Sequence, residues 1–128
     1  YMLPNGLTGT DGFYINTISQ VKNPSQTPVF SDGTWVDGWP MEQDAPDIDV
    51  FAPLGNGSGR EMGRTCVARH AIKTGSHPRW TVASQPPKGS VNVGLFDGHV
   101  ELSKLANLWS YTWHNKWDQS KVAIGTPQ

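Results

Sequence analysis

A chain of 128 residues with 14 Gly, 10 Pro and 16% charged residues reads as one domain of modest core, built from short strands and turns in preference to long helices. Ten basic residues are scattered against eleven acidic ones, a formal charge of −1, which argues against nucleic-acid binding because that needs a concentrated cationic face. No apolar run approaches the roughly eighteen residues that cross a bilayer, so no membrane span is expected.

In chain order, the first six residues, Tyr1 to Gly6, read neither as a signal peptide nor as a transit sequence. The chain is expected to start downstream of its export signal. Residues 13–16 read as a short strand entered from Asp11-Gly12, and residues 27–31 as a second strand stopped by Asp32-Gly33. Residues 37–59 are rich in Pro, Asp, Gly and Asn without a sustained period, and are expected to form a long irregular loop. Residues 63–70 read as a strand, in which Cys66, the single cysteine, is a buried small hydrophobe. Two arms, residues 91–96 and 99–102, alternate apolar and polar side chains around Asp97-Gly98. This pattern predicts a two-residue hairpin turn with positive φ at both central positions. Ser103 offers an N-cap for a short helix presenting Leu105, Leu108 and Trp109 on one face. The polar tail beyond Asp118 is expected to fray.

Three blocks carry a family resemblance: Arg69-His70; the hairpin Val91-Asn92-Val93 through Phe96-Asp97-Gly98-His99-Val100-Glu101; and Leu105 through Leu108-Trp109, Trp113 and His114. In that order they resemble the C-terminal region of prepilin-type proteins, whose signature is Arg-His, a spacer, then Asp-Gly. Phe13-Tyr14-Ile15-Asn16 and the segment Pro28-Val29-Phe30 with Asp32 are similar to upstream strands of the same family, so the likeness spans residues 12–117. There are two departures. Between His70 and Asp97 lie 26 residues, longer than the family's spacer, which marks residues 73–89 as an insertion and a surface excursion that a short linker could replace. Trp80 is its one large apolar anchor, onto its own domain or a neighbouring subunit. The apolar N-terminal helix of a prepilin is also missing from the sequence, which implies either a processed or truncated C-terminal portion or a helix supplied by a separate polypeptide.

Four Asp-Gly dipeptides, at Asp11, Asp32, Asp37 and Asp97, have turn chemistry as their first meaning. Calcium is the alternative for the acidic loop, with Asp37, Asp44, Asp47 and Asp49 as candidate oxygen ligands near Glu42; the resemblance adds that pseudopilins can hold calcium in a β-region loop. The spacing is not that of an EF-hand. His70, His99 and His114 raise a zinc or catalytic reading, and the resemblance places His70 and His99 near one another with Asp97 close by. Neither a zinc-binding spacing nor a nucleophile elbow accompanies them, so structural hydrogen bonding is preferred. Trp109, Trp113 and Trp117 fall at steps of four, one face of a continued helix. Trp35, Trp39 and Trp80 lie in loop contexts where an open indole could stack on a sugar.

These readings converge on a mainly β domain, α+β if a pilin helix is counted, with an antiparallel sheet, long loops and a short C-terminal helix. The expected function is non-enzymatic: a structural subunit of an extracellular or periplasmic filament, forming a homopolymer with other copies. Its signature residues are Arg69, His70, Asn92, Asp97, Gly98, His99, Trp109, Trp113 and His114. A secreted glycan-binding or surface-binding module that uses loop aromatics is the alternative.

Overall fold

Alternation along the hairpin sets the architecture. Val91, Val93 and Leu95 are buried while Asn92 between them is exposed, so one face of the strand enters the core and the other leaves it. The computed structural model describes residues 15, 17–35, 38–53 and 61–128. Within them, strands β1 (Pro28–Ser31), β2 (Ser90–Leu95) and β3 (Val100–Lys104) form an antiparallel sheet in the order β1-β2-β3. The first predicted strand, residues 13–16, falls almost wholly outside the described residues.

The hairpin is present, but its turn differs from the expectation. Gly94 pairs with Val100 and Leu95 N–H bonds to His99 O, so the loop holds three residues, Phe96, Asp97 and Gly98. Gly98 N–H closes a turn on Leu95 O, and Gly98 alone has positive φ, +95°. This is a turn followed by a left-handed glycine, so Asp97 keeps an ordinary backbone conformation.

Residues 63–70 are not a strand. One turn of helix, α1 (Glu61–Thr65), occupies the first half, braced by an Arg64–Glu61 ion pair at 2.9 Å. Its formation depends on a distant residue: the Asp44 carboxylate accepts the Met62 N–H at 3.0 Å, and Gly63 leaves room for Asp47, whose carboxylate oxygen would lie 3.0 Å from any Cβ there. Residues 66–70 then run irregularly, with Ala68 N–H on Val50 O and His70 bridging Ser90. Cys66 is buried, and burial pushes its thiol pKa up.

The short C-terminal helix is a 3₁₀ segment, Leu105–Ser110. Ser103 belongs to β3, and the cap position falls on Lys104 without a side-chain cap. Leu105, Leu108 and Trp109 are buried together as expected. The helix does not continue to Trp117, yet Trp113 and Trp117 still pack against the core from turns.

Residues 73–89 lie mostly at the surface, as expected, and of the two anchors open to Trp80 it takes the core of its own domain. Trp80 is fully buried, edge-on to Trp109 with ring centroids 5.7 Å apart. Its backbone N–H donates to Ile48 O and its indole N–H to Val82 O. The Arg79 backbone pairs with that of Asp49 in an isolated antiparallel bridge. The insertion therefore supplies a core residue and pins residues 38–53, which are irregular as predicted.

Trp80→Ala is expected to destabilise the domain by about 3–5 kcal/mol, the usual cost of emptying a buried indole site. Replacing residues 73–89 by a Gly-rich linker is expected to abolish the cooperative transition in chemical denaturation. A linker variant that melts like the parent would show the segment to be dispensable for folding.

Candidate assembly surface

The register decides which side chains share the outer face. Gly94 lies opposite Val100 and Phe30, and Asn92 opposite Leu102, so these residues stand on the side of β2 away from Val91 and Val93. Phe30, Val100 and Leu102 are 66%, 60% and 56% exposed. The Phe30 ring lies across the bare backbone of Gly94, where a Cβ would fall 2.5 Å from a ring carbon. The glycine thus creates the seat for the aromatic ring. The outer face is an apolar strip, and β1 and β3 are the edges of the sheet.

The signature residues divide among three places. At one end of the strip, the Asp32 carboxylate accepts the Asn92 N–H at 2.8 Å and lies 2.9 Å from His70 Nε2, while Asn92 Nδ2 is 2.9 Å from the same ring nitrogen. Asp32 N–H returns a bond to Asn92 O. This clip fastens the chain after β1 and the start of the insertion to β2, and Arg69 beside it is exposed. At the hairpin tip, Asp97 accepts both the His99 N–H, at 3.2 Å, and His99 Nδ1, at 2.6 Å. Desolvation pushes the other way, but these bonds hold the Asp97 carboxyl below its ordinary value. His70 and His99 therefore lie toward opposite ends of β2, contrary to the expectation that they adjoin. Neither ring bonds a hydroxyl or thiol among the described residues.

The third group is internal. Trp109 donates its indole N–H to Asp44 O at 3.1 Å, and Trp113 to Leu108 O at 2.7 Å. His114 is buried, edge-on to Trp117 and 3.5 Å from a Glu42 oxygen. Burial lowers the His114 pKa, with Glu42 opposing.

The acidic loop is built for backbone bonding. Asp44 caps Met41 and Met62 N–H, and Asp49 caps Phe51 and Ala52 N–H. Burial raises the Asp44 pKa despite those two backbone donors. Asp47 is buried against Gly63. Among the described residues no three His, Cys, Asp or Glu side chains converge as metal ligands, and Asp37 lies outside those residues. Of the loop tryptophans proposed for sugar stacking, Trp80 is in the core, Trp39 is half-buried and Trp35 is 67% exposed.

Sequence reasoning did not single out Phe30, Gly94, Val100 and Leu102 as a group. Their shared face follows from period-two alternation once the register is known. Comparison with protein-family models, with curated proteins and with solved structures finds no match.

Two outcomes are expected. Gly94→Ala displaces the Phe30 ring and costs about 1 kcal/mol in the parent, but little in a Phe30→Ala background; a double-mutant cycle reads the coupling. In the second, the folded pKa of His114 lies below its unfolded value near 6.5. Stability is then full above that pH and declines as pH falls through it, since the unfolded chain binds the proton more readily. His114→Gln should flatten this decline between pH 7 and 5 in urea titrations.

Proposed function

We propose that this chain is a non-enzymatic structural subunit of an extracellular pilus-like or pseudopilus-like filament, with its β-domain on the filament surface. The observation that carries the reading is the apolar outer face: Phe30, Val100 and Leu102 stand exposed on a sheet whose other face is occupied by the core. Single exposed apolar residues are ordinary on any protein, whereas three neighbours on one sheet face make a contact surface. The prepilin-like order of Arg69-His70, Asp97-Gly98 and Trp109 through His114 supports the same reading. A partner copy is the proposed occupant of the strip, and a contact between two different patches repeats into an open helical array, as a filament requires. A separate polypeptide carrying a pilin helix is compatible with this arrangement.

The test is electron microscopy of native material, together with Val100→Asp and Leu102→Glu. Both positions are exposed, so stability should change by no more than about 0.5 kcal/mol. Filaments decorated by this domain are expected from the parent and lost in the double variant. Filaments formed equally by both, or a native protein that stays strictly monomeric at high concentration, would contradict the reading.

A further inference from the structure

We propose that the groove on residues 72–88 is a docking site for a short acidic segment of a second polypeptide that carries an apolar side chain next to its carboxylates. The proposal stands apart from the filament reading, because the groove contains none of the signature residues.

The groove is a concavity of about 270 Å³. Ile72, Pro78 and Pro87 form an apolar floor, and Lys73 and Lys88 stand on its rim. Its walls are fixed before any partner arrives. Ser76 closes a tight turn by donating its backbone N–H and its hydroxyl to Lys73 O, at 3.0 and 2.6 Å. His77 packs on Phe51 with ring centroids 4.4 Å apart. The buried Trp80 anchors the segment from beneath. Pro rings and a hydrogen-bonded turn lose little freedom on binding, which is the usual source of useful affinity in a small site.

Charge selects the partner. Lys73 and Lys88 form no ion pair among the described residues, whereas Arg64 and Lys121 do. Two unpaired ammonium groups flank one apolar concavity in a chain whose net charge is −1. Lysines are mobile point charges that suit carboxylates arriving on a flexible chain, with no need for bidentate geometry. The floor decides between an anionic peptide and an anionic sugar. Its lining holds no Trp, Tyr or Phe side chain; the one ring there, His77, packs at a tilt on Phe51, and Trp80 is buried. A proline and isoleucine floor instead receives an aliphatic or aromatic side chain. A simple phosphate would leave that floor unused.

The test is selection from a displayed random octapeptide library on the 128-residue chain, with a Lys73→Glu/Lys88→Glu variant run in parallel. Both lysines are exposed, so the variant should keep the parental thermal midpoint. The parent should enrich peptides with Asp or Glu beside a large apolar residue. A fluorescent copy of the enriched peptide should bind the variant about tenfold or more weakly, and less tightly at high salt. Three results would overturn the proposal: no enrichment, enrichment of neutral or basic peptides, or equal binding by the variant. Competition by oligogalacturonate at lower concentration than by the peptide would also overturn it, in favour of an acidic glycan.

Discussion

The contact on which the rest of the structure depends is the edge-on packing of Trp80 against Trp109. Three strands cannot enclose a core alone, and the second layer here is made of irregular chain. Such chain lacks ladders to satisfy its backbone, so the bonds must come from elsewhere. The two tryptophan residues supply several of them, through side chain and backbone. Trp109 donates to Asp44 O, Trp80 takes Ile48 O through its backbone N–H, and Gln119 reaches Trp109 O. Asp44, held in place by Trp109, caps Met41 and Met62 and so holds α1. Removing either ring therefore loosens several segments at once, the acidic loop foremost, although Ala68 N–H on Val50 O and the Asp49–Arg79 pairing still join them.

That layer occupies one face of the sheet. The outer face is left with Phe30 seated on Gly94 and with Val100 and Leu102 beside it, while the ends of β2 are closed by the Asp32–His70–Asn92 clip and the Asp97–His99 pair. His70 and His99 thus stand at opposite margins of this surface. In the proposed filament, the same asymmetry gives the domain an inner side that is saturated with its own contacts and an outer side that is available to a second copy.

How much the sequence discloses follows from the range of the interactions involved. The hairpin was legible because period-two alternation in residues 91–102 is local, and so were the end of β1 at Asp32-Gly33 and the burial of Leu105, Leu108 and Trp109. The turn type was not legible, because Asp-Gly serves both a two-residue and a three-residue loop, and the pairing of Leu95 with His99 decides between them. The α1 turn was hidden because Gly63 looks like a helix breaker, and its cap, Asp44, lies eighteen residues away. The surface course of residues 73–89 was legible from their prolines and glycines, but which of the two anchors Trp80 takes was not, for the same reason. A single Trp80 among prolines and glycines has no periodicity to betray it, and its partner Trp109 is remote in sequence. The outer strip was present in the alternation, but its members lie on three strands and become one surface only through the register.

The central claim is that the acidic loop and the insertion, the latter through Trp80, are tied into the core and are not independent appendages to the sheet. Native-state hydrogen exchange tests it most directly, through the N–H groups that join these segments: the indole Nε1–H of Trp109, and the backbone N–H of Trp80, Ala68 and Met62. All four should exchange only by global unfolding, with the same opening free energy and denaturant dependence as the β2 amides. Exchange of Trp80 and Trp109 through a smaller, denaturant-insensitive opening, while β2 stayed protected, would contradict the account.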